Sequence, residues 1–143
     1  MSKLINTLYL KVASDPLDLG DIQYSTKQVH GAPDYRTQLH DMYELLECRT
    51  LEHFTLRTLK GTRYDLWFDE EGKLLNPMKL PCIPIVYNGK VRDVIVGHCI
   101  VTTSDAEGDI AEITEEGIKE FLDYLKYCWA CANAADRLIL QEA

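Results

Sequence analysis

Hydrophobic and polar residues alternate along the first part of the chain. From Leu4 to Val12 one parity is mainly leucine, and the other holds several β-branched or aromatic residues. Such alternation is typical of a β-strand with one largely apolar face. The pattern therefore predicts a first strand over residues 4–12.

The next segment, Asp15 to Ala32, shows no sustained period. Pro16 and Gly20 interrupt it near its start, and Pro33 follows its end. We interpret it as mostly loop, with Ile22 to Tyr24 extended. A loop of this length inside a compact domain is uncommon and is often functional.

A helical stripe comes after this loop. Pro33 is a suitable helix start, and the apolar residues that follow recur at helical spacing, which predicts a helix from about Asp34 to Glu47. The stripe comprises Tyr35, Leu39, Met42, Tyr43 and Leu46.

Two hairpins are predicted in the middle of the chain. Strands over residues 51–59 and 63–68 flank Gly61, which supplies the glycine that a tight connection needs. After a turn at Asp69-Glu70-Glu71-Gly72, residues 85–87 and 90–94 flank Asn88-Gly89, a strong hairpin signal. Between the hairpins, Asn76-Pro77, Pro81 and Pro84 argue against a helix or a central strand.

The last third of the chain predicts a central strand and a long helix. Asp93 to Thr103 is nearly continuously apolar and β-branched, as in a strand covered on both faces. Thr114 resembles an N-cap, with Ile113 and Ile118 as a candidate hydrophobic staple. The apolar stripe predicts a helix that continues to about Leu140.

Such a helix would have about 25 residues and a length of roughly 38 Å, which exceeds the width of a domain of this size. We therefore expect the helical extension over residues 128–143 to pack against a second copy in a homodimer. The predicted interface comprises Trp129, Ala132, Leu138 and Ile139.

The elements together indicate one α+β domain over residues 1–143. Its expected architecture is a small, mainly antiparallel sheet packed against two helices, with a long C-terminal helix. A chain of 143 residues buries about two-thirds of its unfolded surface, which suffices for a core without staples.

Composition and charge narrow the classes of partner. With 46% hydrophobic and 27% charged residues the chain is globular, and a net charge of −8 favours basic partners over nucleic acid. No apolar run approaches the roughly 20 residues that span a bilayer. The five cysteines are odd in number and no secretory signal precedes them, which predicts reduced thiols in a cytoplasm.

Motifs for catalysis or metal binding are weak. The sequence has no phosphate-binding loop, dinucleotide fingerprint or zinc-protease pair. Cys128 and Cys131 have the spacing of redox or zinc pairs, but they fall inside a predicted helix and are interpreted as core or interface residues. His40 and Glu44 share a helix face, which we interpret as a solvent-facing polar face in preference to a metal or acid–base site. We therefore predict no cofactor, no metal and no enzymatic turnover.

Aromatic and charged residues supply the candidate binding positions. Tyrosine and tryptophan are enriched at binding surfaces, and acidic residues on one face would suit a basic protein. Arg36, Arg57, Arg63, Lys79 and Lys90 would instead give an aromatic pocket local positive charge for an anionic ligand. The predicted binding residues are Tyr24, Tyr64, Trp67, Asp69, Glu70, Glu71, Glu107 and Asp109.

Several short motifs carry a family resemblance. They are Glu71-Gly72-Lys73-Leu74, Leu80-Pro81, Asp93-Val94-Ile95-Val96-Gly97, Glu107-Gly108-Asp109 and Ile113-Thr114. Over about residues 65–125 the chain resembles a family of small uncharacterised proteins, a domain of unknown function encoded by phages, plasmids and conjugative elements. Family members carry an asparagine shortly after the Leu-Pro step, where this chain has Cys82-Ile83-Pro84.

The resemblance implies an accessory protein that neutralises a host component. In the first hypothesis it inhibits a bacterial defence system by binding a protein such as a nuclease. In the second it sequesters a small anionic, nucleotide-like immune signal in an aromatic and basic pocket. In the third it is a small enzyme that uses a cysteine or a histidine.

Overall fold

The computed structural model describes residues 3–13, 15–71 and 81–143. Short 3-10 helices occur at Pro16–Asp18 and Ala135–Arg137. The helices and strands in chain order are β1 (Leu4–Val12), β2 (Asp21–His30), α1 (Tyr35–Leu46), β3 (Leu51–Arg57), β4 (Arg63–Asp69), β5 (Pro81–Tyr87), β6 (Lys90–Val96), β7 (Cys99–Ser104), β8 (Ile110–Ala111), α2 (Glu115–Cys131) and β9 (Ile139–Glu142).

Antiparallel pairing dominates the main sheet. Seven strands take part in the order β3-β4-β7-β1-β2-β9, with β8 added beside β7. Only the pairing of β9 with β2 is parallel among the described strands. The strands β5 and β6 form a separate two-stranded sheet. The predicted α+β architecture, with a mainly antiparallel sheet and two helices, is confirmed in the described ranges.

The main sheet is covered differently on its two faces. On the first face, α2 and β5 enclose the larger core, to which Phe121, Leu125 and Trp129 contribute buried side chains. On the second face, Met42 and Leu46 of α1 pack with apolar residues of β1, β2 and β7. The alternation in β1 reflects this arrangement, because successive side chains of a strand point to opposite faces.

The local signals for helix starts and hairpins are confirmed. Thr114 Oγ1 accepts a hydrogen bond of 3.0 Å from the backbone N–H of Gly117, which caps α2. The β3–β4 hairpin forms around Gly61 and the β5–β6 hairpin around Asn88-Gly89. Both Asn88 and Gly89 have positive φ, of 54° and 74°, as a two-residue hairpin turn requires.

The prediction of a mostly irregular segment from Asp15 to Ala32 is wrong. Residues 21–30 form β2, which pairs with β1 from Ile22 to His30. Its polar sequence lacks the apolar alternation of a typical strand because several of its side chains face solvent. Pairing with β1, the neighbouring strand in the sequence, satisfies its backbone, and this pairing outweighs weak local propensity.

The predicted single strand from Asp93 to Thr103 is also corrected. Gly97 has φ 85°, a conformation that glycine adopts easily, and it separates β6 from β7. The strand β7 lies between β4 and β1 near the centre of the main sheet, whereas β6 belongs to the small sheet. The apolar run from Asp93 to Thr103 therefore contributes one strand to each of the two sheets.

The predicted helix to Leu140 is too long. The helix α2 ends at Cys131, and Asn133 then adopts the left-handed conformation with φ 57°. After a 3-10 turn the chain adds β9 to the edge of the main sheet beside β2. Residues 128–143 are therefore not a helical extension, and the dimer prediction loses the argument from helix length. No helix in the described ranges is long and apolar enough to cross a membrane.

Candidate functional site

An acidic groove lies between the β3–β4 hairpin and the small sheet. It has a volume of about 130 Å³, and its lining combines apolar residues with four acidic residues. The lining residues are Glu52, Phe54, Phe68, Asp69, Glu70, Ile85, Asp93, Val94, Ile95 and Val96.

The pairing of β3 with β4 builds one wall of this acidic groove. Glu52 lies opposite Phe68, and Phe54 lies two residues farther along β3, so all three point to the same face of the sheet. Phe54 remains 38% exposed because β3 is an edge strand. The second wall comes from β5 and β6, through Ile85 and the end of β6.

The electrostatics of the acidic groove favour a cation. Glu52, Asp69, Glu70 and Asp93 are its acidic lining residues, and no basic residue of the described ranges lines it. Because side chains alternate along β4, the Asp69 carboxylate points to the same face as Trp67, so Asp69 borders the groove through its backbone. A volume of about 130 Å³ accommodates a side chain, whereas typical small-molecule pockets enclose about 300–1,000 Å³. The groove therefore suits a lysine or arginine side chain presented by a protein.

Only part of the predicted acidic surface converges on this groove. Asp69 and Glu70 line it, and Asp69 Oδ1 accepts a hydrogen bond of 2.9 Å from the backbone N–H of Glu71. Glu107 and Asp109 lie instead in the β7–β8 connection, where Asp109 accepts a hydrogen bond of 2.8 Å from the Tyr35 hydroxyl. Glu52, Phe54 and Asp93 were not predicted from the sequence, because their shared location depends on tertiary pairing.

Tyr64, a predicted binding residue, belongs to the core. Its ring is 1% exposed and packs edge to face against Phe121 at 5.2 Å between centroids. Its hydroxyl lies 2.6 Å from Glu120 Oε1 and 3.0 Å from the carbonyl oxygen of Gly117. Burial, followed by the hydrogen bond to Glu120, raises the pKa of Tyr64. Packing in the core therefore accounts for the tyrosine at position 64.

Trp67, also a predicted binding residue, supports a histidine on the second face of the sheet. The rings of His53 and Trp67 stack with centroids 4.4 Å apart and planes 26° apart. The indole N–H of Trp67 donates to Thr102 Oγ1 at 2.9 Å. On its other side, His53 Nε2 lies 3.1 Å from Asp65 Oδ1, so the imidazole is held from two directions.

Asp65 is the centre of a polar network on this second face. Its side chain is only 4% exposed and accepts hydrogen bonds from Thr55 at 2.7 Å, Ser104 at 2.8 Å and Arg63 at 3.3 Å. Burial alone would raise the pKa of Asp65, but these hydrogen bonds and the Arg63 charge lower it overall. Because Ser104 donates to Asp65 rather than to His53, the three residues do not form a nucleophile relay.

Tyr24 borders an open, largely apolar depression between α2 and β9. The depression has a volume of about 440 Å³ and one basic residue, Lys126. Its remaining lining residues are Leu122, Ala135, Leu138 and Leu140. Tyr24 is thus separated from the acidic groove, whose lining it does not share.

A polar cleft beside the end of α1 combines an aromatic ring with two lysines. The Nζ atom of Lys27 lies 6.0 Å from the ring centroid of Tyr9, and Lys11 lines the same cleft of about 410 Å³. Glu44 and Glu47 line it as well. The basic residues predicted for an anionic pocket lie elsewhere: Arg57 and Arg63 face each other across β3 and β4, and Lys79 is outside the described ranges.

The thiols are largely enclosed. Burial raises the pKa of Cys99 and of Cys128 to about 12, and that of the half-buried Cys48 to about 11. Cys82 is fully buried, and burial raises its pKa well above its ordinary value. In the described ranges no three His, Cys, Asp or Glu side chains are grouped to hold a metal ion.

The predicted dimer interface is divided between core and surface. Trp129 is 2% exposed, and its indole N–H donates to the carbonyl oxygen of Cys82 at 3.1 Å. Leu138 packs partly against the core, Ala132 is half-buried and Ile139 is 57% exposed. Trp129 is therefore corrected from an interface residue to a core residue, because its partners lie within the same chain.

Comparison with known proteins identifies one family. A profile with the description Domain of unknown function (DUF3846) matches residues 22–126. This range includes the residues of both walls of the acidic groove. The predicted resemblance to an uncharacterised family is thereby confirmed. No curated protein and no solved structure matches the chain.

Proposed function

The chain belongs to the DUF3846 family, and we propose that it is a non-catalytic accessory protein of a phage or other mobile element. In this proposal it inhibits a bacterial defence system by binding a protein component such as a nuclease. The mobile-element setting rests on the resemblance of its motifs to proteins of phages, plasmids and conjugative elements. Because such defence components act inside the host, the proposed location is the bacterial cytoplasm.

The acidic groove is the observation that carries this proposal. Its acidic residues Glu52, Glu70 and Asp93 adjoin apolar surface that includes the exposed Phe54, and a lysine or arginine side chain would suit both properties. Nucleases present such basic residues in their nucleic-acid channels. The net charge of −8 adds a long-range attraction to this kind of surface and opposes direct binding to nucleic acid.

A second candidate is sequestration of a small anionic, nucleotide-like signal. The cleft that contains Tyr9, Lys11 and Lys27 favours it, since its volume of about 410 Å³ falls in the range of ligand pockets. Glu44 and Glu47 counter the two lysines in the same cleft, which weakens its attraction for an anion. We therefore place the protein-binding function first.

Turnover is the least supported alternative. A cysteine nucleophile needs an accessible thiolate, whereas burial raises the pKa of Cys82, Cys99 and Cys128. His53 is held by Asp65 and remains 41% exposed, and the Thr55 hydroxyl that lies 3.4 Å from its Nε2 donates instead to Asp65 at 2.7 Å.

Homodimerisation stays part of the proposal, with Ile139 as its most exposed predicted contact.

Phage plating on strains that each carry one nuclease-based defence system tests the proposed function. Expression of the protein should restore plating on at least one strain, and Glu52→Lys should abolish the effect. Asp123→Lys is the matched control, because Asp123 is exposed on α2 outside the groove and the change in charge is the same. If neither the wild type nor Asp123→Lys restores plating on any of the strains, the proposal is contradicted.

Co-purification from the responsive strain then separates the two binding candidates. Mass spectrometry of the protein fraction should reveal a basic protein that is retained by Asp123→Lys and lost from Glu52→Lys. A nucleotide-like anion in the small-molecule fraction, without a co-purified protein, would favour the second candidate.

A further inference from the structure

Beside the acidic groove, one edge of β3 has no partner strand within residues 3–13, 15–71 and 81–143. Among the described residues it pairs only with β4, and the side chains from Glu52 to Thr55 are all exposed. An edge strand leaves backbone N–H and C=O groups that can pair with another extended segment. Because Glu52 and Phe54 line the groove, a segment at this edge would lie directly along it.

The two faces of β3 carry different chemistry. Glu52 and Phe54 point toward the acidic groove, whereas His53, Thr55 and Arg57 point to the opposite face. On that opposite face Arg57 lies directly across from Arg63 of β4. One edge strand is therefore acidic and apolar on one side and basic and polar on the other.

We propose that the partner protein adds an extended segment to the free edge of β3, with basic or apolar side chains on the groove side and acidic or hydroxyl side chains on the other. The inference rests on the proposed function and specifies how the partner is recognised. Backbone pairing along β3 supplies affinity, and the alternation of charge supplies specificity. Glu52 selects the basic positions of the segment, and Arg57 selects the acidic ones.

A second copy of the chain fits this edge poorly. Two-fold antiparallel pairing of β3 about Phe54 would set Glu52 opposite Leu56 and Arg57 opposite Leu51. Pairing about Thr55 would set His53 opposite Arg57, which brings two basic groups together. Neither arrangement forms an opposite-charge pair, so the charges favour a different polypeptide.

Synthetic peptides provide the probe. In the first peptide the odd positions carry Lys and Val in turn, and the even positions carry Glu or Thr. The second peptide has the same composition, but its lysines are contiguous. The alternating peptide should bind about tenfold more tightly, because only it presents one chemistry to each face of the edge. Methylation of its backbone nitrogens should weaken binding by a similar factor, since it removes donors of the added strand.

Two variants locate the contact. Glu52→Lys should weaken the alternating peptide about tenfold, and replacing the lysines of that peptide with glutamates should restore binding to this variant. Asp123→Lys is the matched control and should leave the affinity unchanged. Hydrogen exchange should show new protection of β3 amides and none at β9, the other edge of the sheet.

The failures are distinguishable. Equal affinity for both peptides, or binding without protection of β3, would overturn strand addition. Pairing of β3 with a second copy in solution, shown by protection that rises with protein concentration alone, would also overturn it. In each case the phage-plating difference between Glu52→Lys and Asp123→Lys would still report on the proposed function.

Discussion

The Tyr64 hydroxyl lies 2.6 Å from Glu120 Oε1, and this hydrogen bond joins β4 to the first half of α2. Thr58 and Thr62, at the β3–β4 connection, donate to the other carboxylate oxygen at 3.3 and 2.9 Å. One carboxylate thus ties the helix to the hairpin that carries a wall of the acidic groove. Glu120 therefore contributes to the site by positioning the β3–β4 hairpin.

Tyr64→Phe tests this tie. Removal of the hydroxyl should lower the free energy of unfolding by about 1–3 kcal/mol, because Glu120 loses a hydrogen bond at a partly buried position. Urea unfolding measures the change. Tyr87→Phe is the control, since the Tyr87 ring is exposed, and it should leave stability unchanged. Loss of partner binding by Tyr64→Phe at unchanged stability would instead assign Tyr64 to the binding surface.

Two carboxylates should make the protein sensitive to acid. The Tyr64 hydrogen bond is the main cause that lowers the pKa of Glu120, and hydrogen bonds lower that of Asp65 against the opposing effect of burial. Their ordinary values are about 3.9 for Asp and 4.3 for Glu. A lowered pKa in the folded state gives stability that is present above those values and is lost as the pH falls through the folded-state pKa.

Glu120→Gln isolates one part of this acid sensitivity. The glutamine keeps an oxygen for the Tyr64 hydroxyl but does not titrate, so its unfolding midpoint in urea should fall less steeply than that of the wild type below about pH 4.5. Chemical denaturation from about pH 3 to 6 measures the slopes. Parallel curves for both proteins would show that Glu120 does not contribute to the pH dependence.

Thiol accessibility separates a binding protein from a cysteine enzyme. Because Cys82, Cys99 and Cys128 are buried with raised pKa values, none of them should react quickly with a disulfide reagent at pH 8 in the native protein. Only the half-buried Cys48 and Cys131 should be modified before unfolding. Mass spectrometry of timed samples identifies the order, and rapid modification of Cys128 would revive a catalytic or redox role.

Local signals in the sequence predicted local structure well. The Asn88-Gly89 turn and the Thr114 cap act within a few residues, and both form as predicted. The features that escaped prediction depend on distant partners. The strand β2 is ordered by β1, and β9 is a strand only because an edge of β2 is free beside it. Both regions lack strong patterning of their own.

In the candidate site, too, the features that depend on distant partners escaped prediction. The sequence pointed to Asp69 and Glu70, and both residues line the acidic groove. It did not point to Asp93, because the split at Gly97 places β6 in the small sheet opposite Phe54. Residues far apart in the chain form the groove together, and no periodicity within either segment encodes that meeting.

The close approach of Gly20 to Arg137 provides a test of the unpredicted C-terminal strand. Gly20 has φ 89°, and a Cβ atom there would collide with the carbonyl oxygen of Arg137. The carbonyl of Gly20 also accepts a hydrogen bond of 2.9 Å from the backbone N–H of Ile139 at the start of β9. A side chain at position 20 would therefore push β9 away from β2.

Gly20→Ala should thus cost more than the conformational strain alone, which is about 1–3 kcal/mol for a non-glycine residue in an unfavourable region. Gly61→Ala is the matched control, because Gly61 has φ 84° but nothing lies within 4 Å of its added Cβ. Urea unfolding of both variants separates strain from collision, and hydrogen exchange at Ile139 reports the docking of β9. If the two variants lose equal stability and Ile139 stays protected, the contact with Arg137 does not hold β9 in place.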